Sequence, residues 1–367
     1  MIKQVTVYRE RERYAGWPAN YGIWHWENEI VVGFTLGWMN LATEFHPRDK
    51  TRPFFNMQAR SLDGGETWRV EEFIGNRPGG RGVSGDEHVI PALNTMTALK
   101  NEDIITIPDQ PIDFIHPDFA LFCARTGLDA GGRSFFYTSY DRCHSWQGPY
   151  FLPMFEQTAI AARTDYVIEG KHSCLLFLTA NKSDGKEGRV FCARTTDGGQ
   201  SFQFVSFLGE EPAEGGFAIM PSTIKLSNGK LLTAIRSRLR SGVEPETAWI
   251  DLYTSENQGQ SWVQQKRAFN FDSPTHNGNP PALLQLDPQR LVLVYGRRND
   301  PPAICARISQ DDGNTWGCEI TLRQTTGDHD MGYVRACVRP DGTVIAVYYT
   351  NDIHEGERYI EAVLWKP

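Results

Sequence analysis

Asp86, Asp165 and Glu214 each stand a few residues ahead of a strand-like apolar run. Carboxylates placed that way and gathered around one hollow can split a glycosidic bond. One protonates the departing oxygen, and another attacks carbon or activates water. The plainer alternative for any single one is a capped turn or an ion pair with arginine. Cations stand at similar positions: Arg163 two residues before Asp165, Arg236 at the end of Leu231–Arg236, and Arg297 in Tyr295-Gly296-Arg297. Guanidinium groups there would receive a carboxylate, and their alternative is ion pairing between neighbouring sheets. His276, Asn277 and Asn279 precede another apolar run, and Asp328, His329 and Asp330 precede Tyr333. A His and a Tyr acting together would also suit a lyase working on a uronic acid. Trp17, Trp24, Trp26 and Trp38 would give a sugar-binding protein its stacking faces, although Trp24 and Trp26 read better as packing between sheets.

Something must bring these scattered positions together, and a repeat supplies it. The pattern Ser/Thr-x-Asp-x-Gly-x-Ser/Thr-Trp/Phe appears as Ser61–Trp68, Thr195–Phe202 and Ser309–Trp316. Ser255–Trp262 carries Asn257 in place of Asp, and Ser139–Trp146 carries Cys143 in place of Gly. Asp accepts hydrogen bonds from backbone N–H groups across a tight turn, Gly takes a positive φ, and the aromatic residue opens the next strand. These Asp residues are therefore hairpin staples rather than catalysts.

The copies start at 61, 139, 195, 255 and 309, about four short strands apart. Each staple follows three apolar runs, so the unit is a four-stranded meander with the staple between strands three and four. Five staples give five sheets. After the last, Tyr333–Val338, Thr343–Thr350 and Arg358–Trp365 make only three strands, while Gln4–Arg9 stands unpaired at the other end. Pairing it with the last three closes a ring and hides an edge. The expectation is an all-β, six-bladed propeller of four-stranded antiparallel blades, a single domain over residues 1–367.

Composition narrows the partners. The 367 residues carry a net charge of −8, which argues against nucleic acid or an anionic membrane surface. The longest apolar runs are too short to span a bilayer. The opening Met1-Ile2-Lys3-Gln4 shows no leader, so the cytoplasm is expected. Seven cysteines are scattered without metal-ligand spacing, most of them inside apolar strands, and read as buried free thiols. No metal or other cofactor is expected.

On these staples and their spacing the whole chain resembles the sialidase-like (neuraminidase, Asp-box repeat) superfamily. The resemblance implies an arginine triad for a substrate carboxylate, a Tyr nucleophile helped by a Glu, and an Asp acid/base. Tyr333, in Met331-Gly332-Tyr333-Val334-Arg335, is similar to that Tyr; Arg236 and Arg297 are similar to the second and third arginines. Where the family opens blade one with Arg-Ile-Pro, this chain reads Ala15-Gly16-Trp17-Pro18-Ala19. Where the family has its Glu, this chain reads Ile219-Met220-Pro221. Together these readings predict an exo-acting glycoside hydrolase on a terminal acidic sugar of an oligosaccharide. Tyr333, Asp86 and Asp165 would be catalytic, and Arg163, Arg236, Arg297, His276 and Trp17 would bind substrate.

Overall fold

The computed structural model describes residues 2–41, 45–52, 54–75, 106–128, 130–239, 247–265, 277–325, 327–352 and 356–367, and the backbone of 269–270. The strands form six antiparallel sheets, the blades of a propeller. In blade one the innermost strand is split into Arg13–Gly16 and Ile23–Trp26, both paired with Glu29–Trp38; Phe55–Ser61 and Arg69–Glu72 follow outward. Blade three repeats this order with its own split inner strand, blades four and five run outward from one unbroken inner strand, and blade two shows three strands, Ala120–Arg125, Ser134–Ser139 and Gln147–Phe151, among the described residues. Blade six takes Gly332–Val338, Val344–Thr350 and Tyr359–Trp365 from one end of the chain and Ile2–Tyr8 from the other. Ile2 pairs with Trp365 and Thr6 with Glu361. That pairing satisfies the edge that Tyr359–Trp365 would otherwise present.

All five staples fold alike. In the first, Gly65 N–H donates to Ser61 Oγ (2.7 Å), and the Thr67 N–H and hydroxyl both donate to the Asp63 carboxylate (2.9 and 2.6 Å). Burial opposes ionisation of Asp63, but the hydrogen bonds from Thr67 and Ser61 outweigh it and hold the carboxyl below its usual range. Asn257 reproduces the turn by accepting from Ser261 N–H (3.0 Å) and donating to its hydroxyl (2.8 Å). Gly65 has φ 93°, and a Cβ there would press on Ile345 of blade six at 3.2 Å.

Each staple's final aromatic reaches the seam with the preceding blade. Trp68 packs in the blade six–one cluster, Trp146 in one–two, Phe202 in two–three, Trp262 in three–four and Trp316 in four–five. With the blade five–six cluster around Val292, Val334 and Val344, the core is six wedges rather than one central mass. Six of the seven cysteines are buried in these blades and Cys318 is exposed; all are free thiols. Among the described residues no helix is long and apolar enough to cross a membrane.

Candidate functional site

The inner strands share one direction, so their starts crowd together at one mouth of the channel. Backbone irregularities concentrate there. Trp17, Met220, Asn277 and Tyr333 have φ of 57°, 55°, 73° and 52°, a region that side chains other than glycine seldom occupy. The ladders of blades four and six slip between Ile219 and Ser222 and between Gly332 and Arg335. Such bulges turn a side chain out of the pleat and toward the axis. Asn279, fully buried, holds this shape in blade six: its Oδ1 accepts from Tyr333 N–H (3.0 Å), and its Nδ2 donates to the Met331 carbonyl (3.3 Å). Gly332 (φ 106°) must lack a side chain, since a Cβ would stand 2.4 Å from Asn279. Holding Tyr333 this way costs about 1–3 kcal/mol, a strain that a packed strand tyrosine would not need.

Three guanidinium groups face the phenol so positioned. Arg236 donates through Nη1 to Tyr333 Oη (3.3 Å) and through Nε and Nη2 to the Asn277 carbonyl (3.0 and 2.7 Å). It is 4% exposed, its remaining hydrogen bond goes to the Met220 thioether at 3.7 Å, and its guanidinium stands over the Phe217 ring at 5.2 Å. Arg298, 2% exposed, lies 5.7 Å from the Tyr333 ring and donates to the carbonyls of Gly278 and Met331 and to Tyr349 Oη. Arg163 pairs with Glu187 and reaches Asn20 from blade three. Burial alone would push the Tyr333 phenol up. The charges of Arg236 and Arg298, the Arg236 hydrogen bond and the charge of Arg163 overcome it, and the phenol titrates below its ordinary value near 10. The Arg236 guanidinium is itself pulled below its usual range, first by burial.

A second network flanks the first. The Asp330 carboxylate accepts from His46 Nδ1 (2.7 Å), Tyr349 Oη (2.6 Å), Tyr14 Oη (3.3 Å) and Arg358 Nε (2.9 Å). Burial would raise this acid, but His46, Arg358 and Tyr349 outweigh it and keep it ionised far below the usual range. Tyr349 links the networks, its ring 6.0 Å from that of Tyr333.

Of the residues predicted from sequence, the structure brings Tyr333, Arg236 and Arg163 together. Asp86 and His276 lie outside the described residues. Three others have different surroundings. Arg297 turns to Glu319 (2.5 Å) in its own blade, and the guanidinium beside Tyr333 belongs to its neighbour Arg298. Successive residues of a strand face opposite ways, so one position decides it. Asp165 does not join Tyr333. Its carboxylate accepts from the Thr223 N–H (3.1 Å) and hydroxyl (2.8 Å), and burial, opposed by Arg335 and Thr223, pushes it up to about 7. Asp165 and Arg335 line a cavity of about 480 Å³ that runs on along the inner strands past Trp24, His25, Gln285 and Val338. Trp17 is 4% exposed, packed among Tyr14, Phe54, Tyr349 and His46 with Arg48 over its ring, so it forms wall rather than a stacking platform. Sequence reasoning missed Arg298 and His46. For Arg298 the doublet Arg297-Arg298 was the signal; for His46 there was none. Among the described residues no group of three His, Cys, Asp or Glu is gathered as a metal cage would require.

No family model and no curated protein matches the sequence. Solved structures do. A protein of unknown function from Dyadobacter fermentans aligns over 99% of this chain and 98% of its own, at TM-score 0.70 and 20% identity. An α-L-arabinanase from Penicillium chrysogenum covers the same shares at TM-score 0.57 and 14% identity. A sialidase from Trypanosoma rangeli aligns with 99% of this chain at TM-score 0.58 and 13% identity, and this chain spans 58% of that protein. At such identities the likeness is one of fold, and that fold is shared with propeller glycoside hydrolases.

Proposed function

We propose that the protein is an exo-acting glycoside hydrolase that takes a terminal acidic sugar from an oligosaccharide, with Tyr333 as its nucleophile. One observation carries the reading: a strained tyrosine whose phenol is drawn down by three buried arginines at the mouth of a propeller channel. Arg236 is central, because none of its hydrogen bonds goes to a carboxylate, which leaves its charge for an anionic substrate. Arg298 and Arg163 widen that positive floor. The same cations stabilise a phenolate, so they do part of what a neighbouring carboxylate base would do, and Met220 stands where the sialidase resemblance would have one. Folds of this kind serve sialidases and arabinanases alike, so the sugar is argued from the site and not from the fold.

The test is a screen of aryl glycosides and oligosaccharides, sialic and uronic acids included, with wild type and Tyr333→Phe. Turnover of an acidic sugar, lost by 1,000-fold or more in the variant as expected on the order of a covalent catalyst's removal, supports the reading. A 2-fluoro analogue should label Tyr333, detectable by peptide mass spectrometry. Silence on every substrate, or a Tyr333→Phe enzyme as fast as wild type, refutes it. Appearance of an unsaturated, ultraviolet-absorbing product would reassign the enzyme as a lyase.

A further inference from the structure

We propose that His46 is the acid–base residue that works opposite Tyr333, oriented for that role by Asp330. The inference rests on the glycosidase reading above. His46 lies in the connection between Glu29–Trp38 and Phe55–Ser61 of blade one, where Met39 bridges Arg48 and Asn40 N–H donates to the Pro47 carbonyl (3.0 Å). From here the His46 side chain reaches the residues that lead into blade six. There His46 Nδ1 meets Asp330 Oδ1 at 2.7 Å, across 284 positions of sequence.

Three features favour proton transfer over mere packing. First, Asp330 is ionised and only accepts, so Nδ1 carries the ring proton and Nε2 is the nitrogen that exchanges protons. Second, with four donors around it, Asp330 is held as a carboxylate and cannot serve as the acid itself; its role is to position the imidazole. Third, His46 is 23% exposed, whereas Asp330 is 1% exposed, so the imidazole is the member of the pair that meets solvent or substrate. A chain of ring contacts joins it to Tyr333. The His46 ring is 5.4 Å from Trp17, and Trp17 is 6.5 Å from Tyr349, which adjoins Tyr333; Phe45 lies 5.0 Å from the Arg298 guanidinium.

Among the described residues, the charged and titratable groups around His46 include Asp330, Tyr14, Arg48 and Arg298. Burial lowers the imidazole from its usual range, Asp330 opposes this, and Arg298 and Arg48 add to it. The reacting enzyme then holds one proton between the pair, as Tyr333 phenolate and His46 imidazolium. In the first step Tyr333 Oη bonds to the anomeric carbon while the glycosidic C–O bond breaks. The electron pair leaves with the aglycone oxygen, which takes the proton from Nε2. In the second step water bonds to the same carbon and gives its proton to Nε2. The bond to Tyr333 breaks, and its electron pair returns to the phenolate. Protons and charges are restored.

This assignment predicts a bell-shaped kcat/KM profile. Activity rises with pH through the His46 value, below the ordinary 6.5, and falls through the Tyr333 value, below the ordinary 10. The experiment compares wild type, His46→Gln and Asp330→Asn on phenyl and 4-nitrophenyl glycosides of the acidic sugar that the screen identifies. His46→Gln should lose about 100- to 10,000-fold on the phenyl glycoside, whose leaving oxygen needs a proton. On the 4-nitrophenyl glycoside its glycosylation step should fall less than about tenfold, and the alkaline limb should vanish, leaving a rise through the Tyr333 value to a plateau. Asp330→Asn, checked for an unchanged thermal midpoint, should shift the acid limb further downward. Equal losses on both glycosides, or an alkaline limb kept in His46→Gln, overturn the assignment of His46 and leave Tyr333 standing. A wild-type enzyme silent on all acidic glycosides removes both.

Discussion

Arg236 sets function against stability at a single side chain. A buried cation without a carboxylate among its partners is expensive to hold, and replacing such a group with a shape-matched apolar one is commonly neutral or stabilising by about 1–4 kcal/mol. Arg236→Met should therefore raise the unfolding free energy in denaturant titration, by about 1–3 kcal/mol, while removing turnover. It should also move the Tyr333 phenol upward, visible as a later tyrosinate absorbance step. An Arg236→Met protein that is both active and less stable would mean that the guanidinium is a structural tie. At this scale the sequence was only partly legible. Tyr333 and Arg236 were picked out because the short runs around them resemble motifs of the sialidase-like superfamily. Arg297 was chosen over Arg298 because the strand's last register position cannot be read without its partner; a single step flips the side chain. His46 belongs to a hairpin without periodicity, and its partner is remote in sequence, so nothing local announced the pair.

The staples decide behaviour at the level of elements. Their carboxylates accept from a hydroxyl and from backbone N–H groups, and Asp63, Asp141, Asp197 and Asp311 are all held below the ordinary carboxylate range, hydrogen bonds prevailing over burial. A depressed carboxyl contributes stability above its unfolded value, near 4, and loses it as pH falls through its folded value. The staples' contribution to the thermal midpoint should thus be flat between pH 5 and 7 and be lost below about pH 4, whereas Asp165, raised to about 7, adds stability as pH falls from 7 toward 4. Asp197→Ala should cost about 1–2 kcal/mol at pH 7, and the difference from wild type should shrink in acid. A pH-independent difference would show that the turn's shape, not the charge, carries the effect. The staples were legible because each of their residues answers a local demand of one tight turn. Even Cys143, with φ 67°, takes the glycine's place without altering the hydrogen bonds around Asp141. The inner strands were harder, since the bulges that aim Met220 and Tyr333 inward leave no mark on apolar periodicity.

At the scale of the whole molecule, six wedge-shaped cores take the place of one, and the ring holds only when the sixth is shut. Removing residues 1–8 should strip Val7 from the seam between blades six and one and uncover Tyr359–Trp365. Light scattering should then show self-association, and heat denaturation should begin earlier; a monodisperse truncated chain with an unchanged midpoint would contradict this. The closing strand has a further consequence for how the protein is made. Ile2–Tyr8 is translated long before its partner Tyr359–Trp365. Throughout synthesis the nascent chain carries a sticky ribbon with no mate, and five finished blades wait as an open arc. Loop-closure entropy for so long a span grows only logarithmically, so the delay is set by translation rather than by the search itself. A folding helper that shields Ile2–Tyr8 would act on this protein at one stage only, before Tyr359–Trp365 has been made.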